Sequence, residues 1–242
     1  MSENIIEIRN LTKKFVMQRR HYGMKNILLH LPQYIKDRTN AKVFTALNNI
    51  NLDIKPGERI GLTGHNGCGK TTLLSIIGGV YNRYQGTCKV RGKVSMMLAL
   101  GAGFCMQLSG RENIALNGIL QGKTRREING LMKDIIDFAE VGDFIDAPMY
   151  QYSSGMQARL GFGIITAIEP EILLVDEVMA VGDANFREKC GERMKKLLEN
   201  GTTLILVSHN QSDIDRYCDR VIRLDHGKLV SDQKKESTAE KI

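Results

Sequence analysis

The stretch "RIGLTGHNGCGKTTLLSII" (59–77) decides the fold of this chain. It opens with a short apolar run typical of a buried strand, and "TTLLSII" (71–77) is typical of the start of a helix. Between them, "GHNGCGKT" (64–71) fits the pattern G-x-x-x-x-G-K-[ST] at every position. Glycines at these places let successive backbone N–H groups wrap closely around a phosphate chain. The segment therefore predicts a phosphate-binding loop between a strand and a helix.

Two side chains of this loop have natural partners on a nucleotide. Lys70 reaches the β- and γ-phosphates, and the Thr71 hydroxyl is a ligand for Mg²⁺. The positive end of the helix dipole faces the same anion. The alternative is a glycine turn that precedes a lysine by chance, and the flanking strand and helix argue against it. The predicted nucleotide-binding residues are Gly64, His65, Asn66, Gly67, Cys68, Gly69, Lys70, Thr71 and Thr72.

Two further apolar runs end in side chains suited to catalysis. "ILLVDE" (172–177) places Asp176 to hold Mg²⁺ and Glu177 to accept a proton from an attacking water. "TTLILVSH" (202–209) ends in His209, at the strand end where open α/β sheets bind ligands. We expect His209 to stabilise the γ-phosphate and to help orient the water. The alternatives are two solvated acids and a structural histidine, which the upstream phosphate loop disfavours.

Length and composition predict a chain without an export signal. The 242 residues carry a net charge of +7, which fits nucleic acid, an anionic membrane face or a bound polyphosphate. The start, "MSENIIEIRN", lacks the basic head and apolar core of a signal peptide, and no apolar run is long enough to span a bilayer. The five cysteines are scattered and predict reduced thiols in the cytoplasm.

The chain predicts one domain, 1–242, with an inserted lobe. Strand-like runs alternate with helical ones, which favours an α/β parallel sheet. "KVRGKVSMML" predicts two short strands around Gly92, and "RVIRLD" a late one. The residue pattern from Ser109 to about Ala167 predicts helices. Ser109 and Glu112 predict a capping box at the start of this region. The predicted parts are a catalytic core with an antiparallel β part (1–100 and 168–230), a helical subdomain (101–167), an insertion with a short helix (16–45) and a frayed polar tail (231–242).

A serine-rich turn, "YSSGMQARLGFG" (152–163), precedes a helix on the inserted lobe and predicts a second anion site. A second site makes sense if it serves a nucleotide held by another copy of the chain. The order of phosphate loop, serine turn, "LLVDE" and "SH" resembles the nucleotide-binding subunit of an ABC transporter, over nearly the whole length. The family's signature is usually L-S-G-G-Q. Here Ser153 and Gly155 match it, while Tyr152, Ser154 and Met156 depart from it.

The resemblance implies a fold, cofactors and a partner. The fold is a P-loop NTPase (RecA-like) core with an N-terminal antiparallel β subdomain and an inserted α-helical subdomain. The cofactors are ATP and Mg²⁺. The partner is a second copy in a head-to-tail homodimer, in which the serine turn closes over the opposite γ-phosphate. The residues implied to contact the opposite subunit's nucleotide are Ser153, Ser154, Gly155 and Asp183, the last in "AVGDA".

Two functional positions of the family are harder to assign in this sequence. Phe15 in "LTKKF" resembles the aromatic residue that stacks on adenine, with Tyr22 as the competitor and a packed aromatic as the alternative for either. The family also has a glutamine that touches Mg²⁺ and relays to the membrane subunit. Counting back from "GREN" puts that position at Ala99 or Leu100, and Gln107 lies too far along.

The segments "LALGAGF", "LSGREN", "YSSGMQARLGF" and "VDEVMAVGDANFREKC" resemble the ATPase subunits of bacterial polysaccharide exporters. These move O-antigen, capsule or teichoic-acid chains, and the insertion at 16–45 is most similar to the O-antigen type. The resemblance implies an ATPase bound to integral membrane permease subunits at the cytoplasmic face of the inner membrane, with a lipid-linked polysaccharide as cargo. Some relatives carry a C-terminal glycan-binding domain, which we do not expect here.

Two rival functions follow from other features. The basic stretch "KKFVMQRRHYGMK" (13–25), with its interleaved aromatic residues, is compatible with a soluble ABC ATPase that acts on nucleic acid. Such proteins usually carry two ATPase units or a long coiled coil, and neither is evident, so we expect no nucleic-acid partner. The second rival is an exporter of something other than polysaccharide.

Overall fold

The computed structural model describes residues 3–17, 42–97, 103–176 and 183–235. Within these ranges the strands are β1 (Ile6–Met17), β2 (Lys42–Ile54), β3 (Arg59–Thr63), β4 (Gln85–Val90), β5 (Val94–Met97), β6 (Ile172–Asp176), β7 (Thr203–Val207), β8 (Arg220–Asp225) and β9 (Lys228–Lys234). The α-helices are α1 (Lys70–Ile77), α2 (Gly110–Leu120), α3 (Arg125–Ala139), α4 (Ser154–Ala167), α5 (Ala184–Glu199) and α6 (Gln211–Tyr217). Two short 3₁₀ helices, Gly142–Asp146 and Met149–Gln151, precede α4.

The larger sheet has the order β5-β6-β7-β3-β8-β9. Its strands are parallel except β9, which runs antiparallel to β8. Parallel strands are covered on both faces, which explains why β6 and β7 are continuous apolar runs. On β6, Ile172 and Leu174 join the hydrophobic cluster on one face, while Leu173 and Val175 join the cluster on the other. The predicted α/β class is confirmed.

The smaller sheet is antiparallel, in the order β2-β1-β4. Its inner face carries alternating apolar residues, such as Ile6 and Ile8 of β1 and Leu52 and Ile54 of β2, all buried. They pack in the same cluster as Leu74 of α1. The antiparallel β part therefore shares its core with the larger sheet and lies over the helix that follows the phosphate loop.

The helical subdomain has a hydrophobic cluster of its own. Ile114 of α2, Ile128 and Ile135 of α3, and Leu160 of α4 are buried together there. The predicted capping box is present at the start of α2, where the Ser109 side chain accepts from the backbone N–H of Glu112 and the Glu112 carboxylate accepts from that of Ser109. A second capping box starts α3. These boxes fix where the helices begin.

Some boundaries differ from the sequence prediction. The predicted tail from 231 is not wholly frayed, because Ser231 to Lys234 pair with β8 as part of β9. The ends of the predicted insertion are strand residues: Val16 pairs with Val43, at the end of the β1–β2 pair where the chain passes from one strand to the other. Its predicted helix lies outside the described residues. The two short strands around Gly92 are present but join different sheets, β4 the antiparallel one and β5 the parallel one.

All five cysteines are free thiols in the structure. Burial raises the pKa of Cys190 and Cys218 to about 12, and that of Cys88 to about 11. A thiol must ionise to act as a nucleophile or a soft metal ligand. These three side chains therefore serve as small apolar packing groups at neutral pH.

Candidate nucleotide-binding site

The phosphate loop lies between the end of β3 at Thr63 and the start of α1 at Lys70. Gly64 and Gly69 have φ angles of +141° and +112°, in a range that side chains disfavour. A Cβ on Gly64 would lie 2.2 Å from the carbonyl oxygen of Leu224, and one on Gly69 would lie 2.6 Å from that of Ala46. The two glycines thus let the loop lie directly against β8 and β2, where a side chain at position 64 or 69 would clash with the backbone.

Lys70 is folded back onto the loop that it follows. Its Nζ donates to the carbonyl oxygens of Gly64, at 2.8 Å, and His65, at 3.2 Å, and the residue is only 8% exposed. The loop residues His65, Asn66 and Gly67 are exposed, while Cys68 is buried beneath them. Gly69 precedes α1 without a capping side chain. The ammonium group is therefore held at the loop, beside an uncapped helix N-terminus.

Thr71 and Asp176 come together although they are far apart in the sequence. The Thr71 hydroxyl donates to Oδ2 of Asp176 at 2.7 Å. Asp176 is the last residue of β6 and is half-buried. Hard oxygen donors from a hydroxyl and a carboxylate are the ligands that Mg²⁺ prefers. The predicted metal residues therefore form one oxygen-rich pair next to the phosphate loop.

His209 follows β7, the strand that lies between β6 and β3. Because the three strands are parallel, their carboxyl ends bring His209, Asp176 and the phosphate loop to one edge of the sheet. His209 is exposed there. The adjacent turn is fixed by Ser208, whose hydroxyl donates to Asp213 at 3.0 Å. Glu177 directly follows Asp176 and lies outside the described residues.

The serine turn begins α4. Ser153 is the N-cap residue, and its Oγ accepts a hydrogen bond from the backbone N–H of Met156 at 3.2 Å. Ser153, Ser154 and Gly155 are all exposed. Tyr152 is buried, and its hydroxyl donates to the carbonyl oxygen of Phe144 at 2.5 Å. The tyrosine that departs from the family signature is thus part of the subdomain core.

Asp183 is engaged within its own chain. It caps α5 by accepting from the backbone N–H of Phe186 at 2.9 Å, and it pairs with Arg159 of α4 at 3.0 Å. The Phe186 N–H, followed by the positive charge of Arg159, holds the pKa of this carboxyl below its usual value. Arg159 also stacks over the Phe186 ring. The sequence pattern did not reveal the contact between Asp183 and Arg159.

Phe15 lies near the end of β1 and is half-buried against Tyr81. The two ring centroids are 5.5 Å apart in an edge-to-face arrangement, and the Lys13 ammonium lies within 5 Å of both. Lys13 also donates to the carbonyl oxygen of Arg83 at 2.8 Å. The sequence did not single out Lys13 or Tyr81. The competitor Tyr22 lies outside the described residues.

The glutamine position at Ala99 or Leu100 also falls outside the described residues. Gln107, the nearby glutamine, is exposed and accepts a weak hydrogen bond from the Cys105 thiol at 3.5 Å. Among the described residues, no helix combines the length and the apolar character needed to cross a membrane.

Comparison with solved structures supports this fold. A bacterial ABC transporter cassette solved as a dimer has a TM-score of 0.75 and is 24% identical, with 96% of this chain and 99% of that one covered. A dimeric cassette in a post-hydrolysis state with ADP and phosphate gives a TM-score of 0.74 at the same identity and coverage. At this identity the likeness concerns the fold, and it confirms the predicted P-loop architecture.

Curated relatives are closer in sequence. The O-antigen export system ATP-binding protein RfbB of Klebsiella pneumoniae is 40% identical over 230 residues, which cover 94% of this chain and 92% of the relative. The teichoic acids export ATP-binding protein TagH of Levilactobacillus brevis is 45% identical over 193 residues, which cover 79% of this chain and 53% of that protein. The family model described as ABC transporter matches residues 47–180, more than half of the chain. On this sequence evidence, the protein belongs to the ABC transporter family.

Proposed function

We propose that this chain is the ATP-hydrolysing subunit of an ABC exporter that moves a lipid-linked polysaccharide, of the O-antigen class, across the bacterial inner membrane. The observation that carries the proposal is the 40% identity to an O-antigen export ATP-binding protein along almost the full length of both chains. The phosphate loop and the paired Thr71 and Asp176 support the proposal, because they suit a phosphate chain and its metal ion. A teichoic-acid exporter is the second candidate, favoured by the 45% identity to TagH.

In this proposal the residues 64–72 bind the phosphates of ATP. Backbone N–H groups of the loop and the uncapped start of α1 face the anion. The Lys70 ammonium exchanges its bonds to the Gly64 and His65 carbonyls for bonds to phosphate oxygens. Because the lysine is already held at the loop, little side-chain entropy remains to be lost when the nucleotide arrives.

Thr71 and Asp176 fit a magnesium ion. Both offer oxygen atoms, and the 2.7 Å between them places the hydroxyl and the carboxylate on one side of the phosphate loop. We assign the Thr71 hydroxyl as a direct ligand and the Asp176 carboxylate as a partner of the ion's hydration shell. When bound, Mg²⁺ would offset negative charge on the phosphate oxygens.

Glu177 and His209 complete the hydrolytic machinery in this proposal. Glu177 follows the last residue of β6 and would accept a proton from the attacking water. His209, at the end of the neighbouring strand, would hold the γ-phosphate and orient that water. In this mechanism catalysis depends on placement and electrostatics more than on covalent chemistry.

A second copy of the chain would complete each site. The exposed N-terminal turn of α4, with Ser153, Ser154 and Gly155, offers hydroxyl and N–H groups to the γ-phosphate bound by the partner. Asp183 would join this interface while it still caps α5. We propose that closing and reopening of this head-to-tail homodimer drive the permease subunits, on the cytoplasmic face of the membrane.

Replacing Phe15 with alanine is expected to weaken ATP binding by about tenfold, because stacking of a base on an aromatic ring contributes roughly 1–3 kcal/mol. Affinity should be measured for ATP and for inorganic tripolyphosphate, which has no base. Phe144 is exposed and lies in the helical subdomain, so Phe144→Ala is the control. An equal loss for both ligands would instead assign Phe15 to packing with Tyr81.

The export function predicts a phenotype in the native bacterium. Deleting the gene should leave lipid-linked polysaccharide on the cytoplasmic side, and the tagged chain should co-purify with an integral membrane protein. Phosphate analysis of the accumulated polymer separates the candidates, since teichoic acids are phosphodiester-linked. Normal surface polysaccharide in the deletion strain would refute the proposal. Salt-sensitive DNA binding by the isolated chain would favour the nucleic-acid alternative.

A further inference from the structure

Three side chains with metal-binding atoms meet beside the phosphate loop. They are His65 on the loop itself, and Asp225 and His226 at the turn between β8 and β9. Nε2 of His65 lies 3.1 Å from Oδ1 of Asp225, and Nε2 of His226 lies 3.9 Å from the same oxygen. We propose that these residues form a binding site for a divalent transition metal of the Zn²⁺ class, separate from the Thr71–Asp176 magnesium pair.

Backbone hydrogen bonds hold the two segments of this site together. The N–H of Gly227 donates to the carbonyl oxygen of Cys68 at 3.0 Å, and the N–H of Asn48 donates to that of Gly227 at 2.7 Å. The β8–β9 turn is thus fixed to both the phosphate loop and β2. A metal ion binds more tightly when its ligands need not be gathered first, because less ordering entropy is lost on binding.

The hydrogen bonding of His65 prepares one ring nitrogen to coordinate a cation. Its Nδ1 lies 2.8 Å from the carbonyl oxygen of Asn66. Since a carbonyl oxygen only accepts, Nδ1 carries the proton, as it does in histidines whose other nitrogen binds a metal. Nε2 then faces the Asp225 carboxylate at 3.1 Å. A divalent metal ion placed between this nitrogen and the carboxylate would be bound by an electron pair from each.

The distances between the ligand atoms suit a metal ion. In a tetrahedral zinc site with bonds of about 2.0–2.1 Å, neighbouring ligand atoms are about 3.3 Å apart. The measured 3.1 and 3.9 Å lie on either side of this value, and all three ligand atoms fall within 4.8 Å of one another. The imidazole rings of His65 and His226 are tilted by 55° and not stacked, so both nitrogens can face one point. Two imidazoles and one carboxylate select Zn²⁺, Co²⁺ or Ni²⁺ over Mg²⁺, and water can supply the fourth ligand.

The test is titration of the full chain with Co²⁺ and Zn²⁺, with Mg²⁺ in excess and nucleotide absent. The expected result is a Co²⁺ visible spectrum of tetrahedral type, displaced by Zn²⁺. The variant His226→Asn should bind at least tenfold more weakly, because even second-shell changes cost 10- to 100-fold. Asparagine suits the φ of +45° at this position, so the turn is expected to fold as before.

Asp225→Asn should lose affinity in the same way, while Asp137→Asn, at an exposed carboxylate on α3, should bind as the wild type does. The melting temperature without metal checks that each variant is folded. If wild-type affinity persists in both His226→Asn and Asp225→Asn, the metal binds elsewhere and the proposal is wrong. If the wild type binds no Co²⁺ or Zn²⁺, the cluster is an imidazolium–carboxylate ion pair only, and the proposal is likewise overturned.

Discussion

Replacing Lys70 with alanine is expected to lower the rate of ATP hydrolysis by about 10²- to 10³-fold, which is the usual loss when one preorganised donor to a charged transition state is removed. The structure gives a specific reason. The ammonium group is nearly buried and is held against the Gly64 and His65 carbonyls, so it lies at the phosphate loop before the nucleotide binds. Phosphate release by purified chain, together with ATP affinity, measures the effect.

The matched control for this variant is Lys133→Ala on α3. Lys133 is exposed and pairs only with Asp137 one helical turn away among the described residues, an interaction worth little. The Lys133→Ala variant should hydrolyse ATP at the wild-type rate. Lys70→Ala also removes two internal hydrogen bonds, so its melting temperature must be measured to separate lost catalysis from lost folding. Near-normal hydrolysis by a folded Lys70→Ala chain would contradict the assignment of the phosphate loop.

The phosphate loop could be predicted from sequence because its chemistry is local. Glycine, lysine and threonine occupy fixed places within a few residues, and the flanking strand and helix follow from apolar spacing alone. The capping box at Ser109 is local in the same sense and was also found. The carboxyl-end positions of Asp176 and His209 followed from one further rule, that parallel strands expose their ends at one edge.

Features that depend on partners distant in sequence could not be predicted. Strand β9 is mostly polar, with exposed Lys228 and Lys234 at its ends, and it exists because β8 offers an edge for pairing. Asp183 meets Arg159 only after α4 and α5 have packed. The approach of His226 to His65 likewise requires the β8–β9 turn to lie against the phosphate loop. In each case spacing along the chain carries no signal, because tertiary packing creates the contact.

Changing Glu177 to glutamine is expected to reduce hydrolysis by about 10²- to 10⁴-fold, the range for loss of a general base, while ATP binding is kept. Glutamine has the shape of glutamate but cannot take a proton from water. If ATP is bound between two copies of the chain, the variant should accumulate as a dimer that retains unhydrolysed nucleotide. Size-exclusion chromatography with Mg²⁺ and ATP, followed by nucleotide analysis of the dimer peak, measures this.

Two further variants make that experiment decisive. Glu188→Gln makes the same change at an exposed glutamate on α5 and should neither trap ATP nor dimerise. Adding Gly155→Asp to Glu177→Gln should abolish the dimer, since a carboxylate would then oppose the γ-phosphate held by the partner. Among the described residues, a Cβ at Gly155 meets only Ser153 Oγ, at 3.8 Å, and an acidic residue suits a helix N-terminus, so the monomer should stay folded. A dimer that persists in the double variant would place the contact between copies elsewhere, and unchanged turnover in Glu177→Gln would remove Glu177 from the mechanism.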